Sequence, residues 1–221
     1  LFTVFLIKLF NYKNFLVGVA FSKFEVLLAA IMEVAFLSAV INFQFGTAIL
    51  LGIISVLLLS LRTSKVSWME LRLSLWSSST IIGLLSATAL ATSVVSFRMA
   101  INSLPAESDF VLRGSVTAAI AVVFQTLAMG VYLSMFRRPE LKAALVSWRP
   151  GLAAGLFGAV STSAWFAAFA LQFAAPVRAV GQAELLFAIG LTVLVFHQKI
   201  TLVETIGVLL LVGSIGLVIF N

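Results

Sequence analysis

The chain has no cysteine, one histidine, one aspartate and only four prolines in 221 residues. Without cysteine there are no disulfides, no iron–sulfur clusters and no thiol catalysis. The single histidine, His197, has no metal-ligand partner at a useful spacing, so no metal site is expected. No Walker loop, dinucleotide fingerprint or Gly-x-Ser-x-Gly element is present, which argues against ATP-driven transport by this chain alone. The sequence calls for no cofactor. Charge is also scarce, at 10% of residues against 62% hydrophobic ones, with mean hydropathy +1.18. A soluble domain carries about 25% charged residues. Too few polar groups remain to cover the apolar surface, so membrane lipid must cover it.

What is present are continuous apolar runs of about 20 residues, the length of a helix crossing about 30 Å of hydrocarbon. A membrane barrel would show segments of about 10 residues with alternating polarity. Helices also pair every backbone N–H and C=O within one segment, which lipid demands. The fold class is therefore an all-α integral membrane protein, a polytopic helix bundle. The formal net charge of +6 would suggest nucleic acid in a soluble protein. Here Lys and Arg fall mostly between the apolar runs, where they set topology, so nucleic acid is not an expected partner.

Leu1–Phe10 reads as the end of a span, broken by Asn11, Lys13 and Asn14. Full spans follow at Val17–Leu37, Phe43–Leu61, Ser78–Ile101, Phe110–Phe136, Gly151–Ala174, Ala179–Phe196 and Leu202–Phe220. That makes seven full spans and a partial one. Residues 62–77 form a polar connector, and Arg137–Pro150 a basic one. All four prolines, Pro105, Pro139, Pro150 and Pro176, are read as lying between spans, with Pro176 marking a turn, because proline costs about 3 kcal/mol inside a helix. Glycines 151, 155 and 158, and Gly207, Gly213 and Gly216, read as sites of close helix approach. The first apolar stretch lacks a small-residue cleavage site and is not a signal peptide. Because it opens at Leu1 inside an apolar stretch, the chain reads as a fragment.

One internal match organises the rest. Residues 17–61 realign without a gap on 176–220, an offset of 184 − 25 = 159 positions. It pairs Ala20 with Ala179, Glu25 with Glu184, Ala29 with Ala188, Ile41 with Ile200, Leu50 with Leu209 and Ser55 with Ser214. An odd number of crossings separates the two copies, so they run in opposite directions, the inverted repeat of many secondary transporters. Subtracting the offset from Ser78 gives −81, so about 80 residues are expected upstream, and the intact protein would have five plus five helices. On this reading 1–61 is the end of the first repeat, 62–77 a connector and 78–221 the second repeat.

The segments GVAFSKFEVLLAAIMEVAFL (18–37) and APVRAVGQAELLFAIGLTVLVFHQKITLVETIGVLLLVGSIGLVI (175–219) carry a resemblance. So do SFRMAINSL (96–104), LRGSVTAAIAVVFQTLAMGVYL (112–133) and STSAWFAAFALQ (161–172). Over its whole length the chain resembles the drug/metabolite transporter superfamily, specifically its ten-helix EamA-type members. The resemblance implies two inverted five-helix repeats, a central cavity between them, both termini cytoplasmic, and export rather than import. The positive-inside rule applied to the connectors instead puts the C-terminus outside.

Ten residues are candidates for binding substrate or protons. Glu25 and Glu184 lead, since a charge at mid-membrane costs at least a few kcal/mol and usually faces a cavity. They are read as proton sites or contacts for a cationic group, against the plainer role of pairing a nearby helix end or base. Glu33 lies eight residues after Glu25, on roughly the same helix face, and its counterpart is the uncharged Thr192. It is either a substrate-selective group or a pairing partner. Lys23 and Gln182 precede the two acids and either hold them or touch substrate, with snorkelling of Lys23 the alternative. Arg98 and Arg113 bracket one loop, as interface anchors or as contacts for an anion. Arg178 precedes Glu184 and can pair with an anion or a helix C-terminus. Gln125 sits in an apolar span and is expected to seek a cross-helix hydrogen bond. Trp165, with Ser161, Thr162 and Ser163 a turn earlier, either lines the cavity or packs.

The expected function is secondary transport of a small polar or amphipathic metabolite across a bacterial inner membrane, by a monomer or homodimer, with proton exchange through Glu25 or Glu184 as its energy source. A membrane-embedded lipid-modifying enzyme would need His, Asp or Cys clusters that the sequence lacks. A non-transporting scaffold would have no use for inward acids in both copies. The chain is therefore read as not an enzyme.

Overall fold

The computed structural model describes residues 4–5, 21–64, 78–105, 107–195, 197 and 201–220. All regular structure among them is helical. The helices are α1 (Glu25–Leu37), α2 (Phe43–Ser64), α3 (Ser78–Asn102), α4 (Phe110–Phe136), α5 (Arg138–Val146), α6 (Trp148–Leu171), α7 (Ala174–Gly181), α8 (Glu184–Leu194) and α9 (Leu202–Ile219). Five stretches are long and apolar enough to cross a membrane: Ser78–Asn102, Phe110–Phe136, Gly151–Leu171, Ala174–Leu191 and Leu202–Ile219. Phe43–Leu59 is a shorter apolar helix. Large apolar side chains such as Phe124 (73% exposed) and Phe157 (75%) face outward from them, as lipid contact requires. The chain is a multi-pass helical membrane protein.

The span boundaries at Phe43, Ser78, Phe110, Phe136 and Leu202 coincide with helix ends. The partial span at 1–10 lies outside the described residues except for Val4 and Phe5, and of the 62–77 connector only 62–64, which continue α2, are described. Two expected features differ. The Arg137–Pro150 connector contains the short helix α5, and α6 already begins at Trp148. Pro176 does not mark a turn; it is the third residue of α7, and the turn falls at Gln172–Phe173. Pro139 and Pro150 also sit in the first turn of their helices. The physical reason is common to all three: N–H groups of a first turn have no intrahelical acceptor, so proline forfeits no bond there.

The compact units divide the chain differently from the sequence repeat. One comprises 1–96 with 173–221, the other 97–172. In the first, local geometry recurs at the 159-residue offset. Helices α1 and α8 start at Glu25 and Glu184, and α2 and α9 at Phe43 and Leu202. Asn42 Oδ1 caps α2 by accepting from Phe45 N–H at 2.8 Å, and Thr201 caps α9 in a capping box with Glu204. The only two described non-glycine residues with left-handed φ are Ser38 (52°) and His197 (50°), again one offset apart.

Helices α2 and α9 pack against each other along their length. Ser55 Oγ donates to Gly207 O at 2.6 Å, and Ser214 Oγ donates to Ala48 O at 2.7 Å. Each bond is the other's counterpart at the offset, 55 to 214 and 48 to 207. As residue number rises along α2 it falls along α9, so the helices are antiparallel and related by a local two-fold axis. Small residues permit the approach: a Cβ on Gly207 would lie 2.9 Å from Leu59, and one on Gly52 2.9 Å from Ser214 Oγ. The other glycines singled out for packing, at 151, 155, 158, 213 and 216, have nothing within 4 Å of such a Cβ. Spacing along one helix does not say which face meets a neighbour. Because the serine bonds are equivalent, Ser55→Ala and Ser214→Ala should each cost about 1 kcal/mol, the same within error, in thermal unfolding of the detergent-purified protein. Unequal losses would contradict the two-fold relation.

The second unit is built from α4 and α6, with the last residues of α3 from Phe97 on and the short α5 beside them. Helices α4 and α6 approach closely at Gly114, whose Cα faces the backbone of Phe166 and Ala167 on α6. Phe97, Phe166 and Phe169 form an aromatic group there, with centroids 4.7 and 6.3 Å apart.

Candidate functional site

The site grows from two helix breaks. The expected continuous spans Val17–Leu37 and Ala179–Phe196 are each interrupted, at Lys23–Phe24 and at Gln182–Ala183. Residues 17–20 and 196 lie outside the described set. At each break the α-helical bond gives way to a tighter i→i−3 bond: Phe24 N–H to Phe21 O at 3.2 Å, Ala183 N–H to Val180 O at 2.9 Å. A new helix then begins, and its first residue is the glutamate. A carboxylate in the first turn meets the unpaired N–H groups and the positive end of the helix dipole. The break thus gives each acid a favourable place in an otherwise apolar span. The only sequence sign of it is a short interruption, Ser22-Lys23 or Gly181-Gln182, inside a hydrophobic run.

Both acids take their base from the other copy. Arg178, in the last turn of α7, donates to Glu25 Oε1 from Nε at 3.0 Å and from Nη2 in a shorter contact. Lys23 Nζ lies 2.7 Å from Glu184 Oε1. The environments differ sharply. Glu25 is 5% exposed at its side chain and Arg178 20%, while Glu184 is 60% exposed and Lys23 23%. Lys23 therefore pairs with Glu184 rather than snorkelling to the interface, and Arg178 pairs with Glu25.

Glu33 resolves as a pairing partner, of a helix end rather than a base. It is 1% exposed, and its two carboxylate oxygens accept the backbone N–H groups of Ala174 and Ala175, the latter at 2.9 Å. These are the first two residues of α7, whose N–H groups would otherwise be orphaned in an apolar surrounding. Glu25 and Glu33 are eight residues apart, about 12 Å along a helix. Helix α7 fits that interval, with its N-terminus on Glu33 and its C-terminal Arg178 on Glu25. So α1 grips α7 at both ends, antiparallel to it. Between the grips the contact is made of small buried residues, Ala29 and Ala30 on α1 and Ala174, Ala175 and Ala179 on α7.

Gln182 is 5% exposed within the second break, and its Oε1 lies 3.4 Å from where a Cβ on Gly52 would be. The structure thus collects Lys23, Glu25, Glu33, Arg178, Gln182 and Glu184 in one unit. The other four candidates belong to or border the second unit. Arg98 donates from Nη1 to Phe169 O near the end of α6, serving carbonyls that lack helical partners. Arg113 is partly buried in the first turn of α4. Gln125 sits on an exposed face of α4, so the cross-helix bond expected of it does not form within that unit. Trp165 packs on Phe169, centroids 5.8 Å apart, and Ser161 and Ser163 are exposed in that unit.

With two acids and two bases at the breaks, the cluster is electrically balanced when all four are ionised. Among the described residues no group of three or more His, Asp or Glu side chains is arranged to hold a metal ion. Comparison with family models, curated proteins and solved structures gives no match to this chain.

Proposed function

We propose that the chain is a secondary transporter of a small metabolite, an EamA-type member of the drug/metabolite transporter superfamily with inverted five-plus-five helix repeats. It works by alternating access in a bacterial inner membrane, and exports its cargo. The observation that carries this reading is the antiparallel two-fold relation of α2 and α9 through reciprocal serine bonds. Attached to it are two broken helices, each opening on an acid. Broken helices and inverted segments are how carriers place polar groups at the midplane while leaving lipid-facing backbone paired. Rocking of α1 and of α7–α8 about the α2–α9 pair exchanges the access of Glu25 and Glu184. Protons taken up by these acids supply the energy.

A thermal-shift screen of metabolites against the purified protein identifies the cargo by the stabilisation that binding confers. Flux of that cargo into proteoliposomes then tests the acids. Glu184→Gln should cut proton-driven flux at least tenfold and flatten its pH dependence, and Glu25→Gln should do the same. Full flux with the parent pH profile in both variants would remove the acids from the mechanism.

A further inference from the structure

We infer, on the two-fold reading above, that Lys23, Arg178 and Glu33 form a one-sided latch. It holds the chain in one of two symmetry-related conformations until Glu25 and Glu184 are neutralised. Rocking a symmetric pair of segments gives two states in which the segments trade environments, and their populations follow the contacts that differ between them. Here the environments are unequal already: Glu25 is buried on Arg178, while Glu184 stands exposed beside Lys23.

The offset says what the exchanged state would contain. Glu184 would move into the buried position, and the residue replacing Arg178 would be 178 − 159 = 19, Val19. Glu25 would take the exposed position facing 23 + 159 = 182, Gln182 in place of Lys23. The grip of Glu33 on α7 would fall to 33 + 159 = 192, Thr192. Valine has no donor, glutamine has no charge, and threonine offers one neutral hydroxyl for two N–H groups. One polar contact therefore has no equivalent in the other state, and the other two have only weaker, neutral ones. The serine bonds behave oppositely: exchange maps Ser55 to Gly207 onto Ser214 to Ala48, so both survive. Helices α2 and α9 are the unchanging pivot, and the bias sits in α1, α7 and the two breaks.

Two of the three contacts require ionised acids. The charges acting on Glu25 are Arg178 from α7, Lys23 from its own break and Glu184 from α8, with Glu33 two turns along α1 engaged by the α7 N-terminus. Neutral Glu25 and Glu184 no longer favour Arg178 and Lys23 over Val19 and Gln182, and most of the bias disappears. Proton uptake thus changes which conformation is populated, and does not only change the charge of a bound species.

The absence of native cysteine makes spin labels at introduced cysteines unambiguous. Val34→Cys on α1 and Phe187→Cys on α8 are exposed sites, at 44% and 78%. They are not one offset apart, so the two states give them different distances. In the parent chain one distance should dominate. Glu25→Gln/Glu184→Gln should raise the ratio of a second distance at least tenfold. That distance should match the main one of a Leu28→Cys/Val193→Cys pair, the symmetry mates of the first. Val19→Arg with Gln182→Lys, which supplies the missing bases, should raise it with the acids intact, and Gln182→Lys alone should do so partly if the double variant does not fold. A single unchanged distance in the glutamine variants and in Gln182→Lys overturns the latch. If the second distance emerges but the reconstituted protein moves no cargo, the latch stands and the transport reading falls. If proton-driven flux is intact while the distances never change, transport stands and the latch falls.

Discussion

Arg178→Ala should lower the unfolding free energy of the detergent-purified protein by about 3–5 kcal/mol. Glu25 is 5% exposed at its side chain, and Arg178 supplies both hydrogen bonds described for its Oε1. Removing the guanidinium leaves a carboxylate in an apolar surrounding with only the more distant Lys23 ammonium to offset it. The loss exceeds what the ion pair contributes, because most of it is the penalty of the stranded partner. Glu25→Met with Arg178→Met should therefore recover most of the stability while abolishing the pairing. Lys23→Ala should cost far less, within about 1 kcal/mol, because Glu184 is 60% exposed and an exposed pair contributes little. Thermal and denaturant unfolding of the three variants checks this order. Equal losses for Arg178→Ala and Lys23→Ala would contradict the assigned environments.

Gly114→Ala is the second large effect, and it belongs to the other unit. A Cβ there would lie 2.8 Å from Ala167 N and 2.9 Å from the carbonyl carbon of Phe166. These are backbone atoms of α6, so no rotamer change relieves the clash. Helix α4 must move away from α6, disturbing Phe166 where it packs on Phe97 and Phe169. A cost of about 3 kcal/mol, the upper end for overpacking, is expected. Gly155→Ala on α6 is the control. Nothing lies within 4 Å of its added Cβ, and alanine is the better helix former by about 1 kcal/mol, so that variant should hold or gain stability. A neutral Gly114→Ala would mean that α4 and α6 do not meet at that residue.

These two cases mark how far the sequence reaches. Helix positions were readable because they follow from local composition, apolar runs of membrane length separated by short polar stretches; the caps at Asn42 and Thr201 and the first-turn places of Pro139 and Pro176 came from the structure. That Glu25 and Glu184 each open a helix at one common offset was signalled too, since an acid recurring in two apolar runs is costly enough to stand out. Their partners were not. Arg178 and Lys23 lie 153 and 161 residues away from the acids they hold, and nothing within a helix turn of either acid names them. Glu33 illustrates the same gap. Its spacing put it on the face of Glu25, but its ligands are backbone N–H groups of α7, which leave no mark in residue type. The glycines divide for a related reason: Gly207 lies against Leu59 as its spacing suggested, while those at 151, 155, 158, 213 and 216 have nothing within 4 Å of an added Cβ. Glycine at regular spacing on α6 is exposed, whereas the close approaches fall at Gly52, Gly114 and Gly207, chosen by which face a neighbouring helix meets.

The sequence by itself determined that this is a helical membrane protein, where most of its helices begin and end, and which two acids correspond. Hydrophobic length and capping are local properties, and a repeat offset needs only the order of residues. The tertiary structure alone decided that α2 and α9 meet antiparallel through reciprocal serine bonds, that both acid-bearing spans break over the two residues before their glutamates, and that one acid is buried while its mate is exposed. Those outcomes depend on which helix faces come together, and side chains more than 150 residues apart find each other only when packing brings those faces into contact.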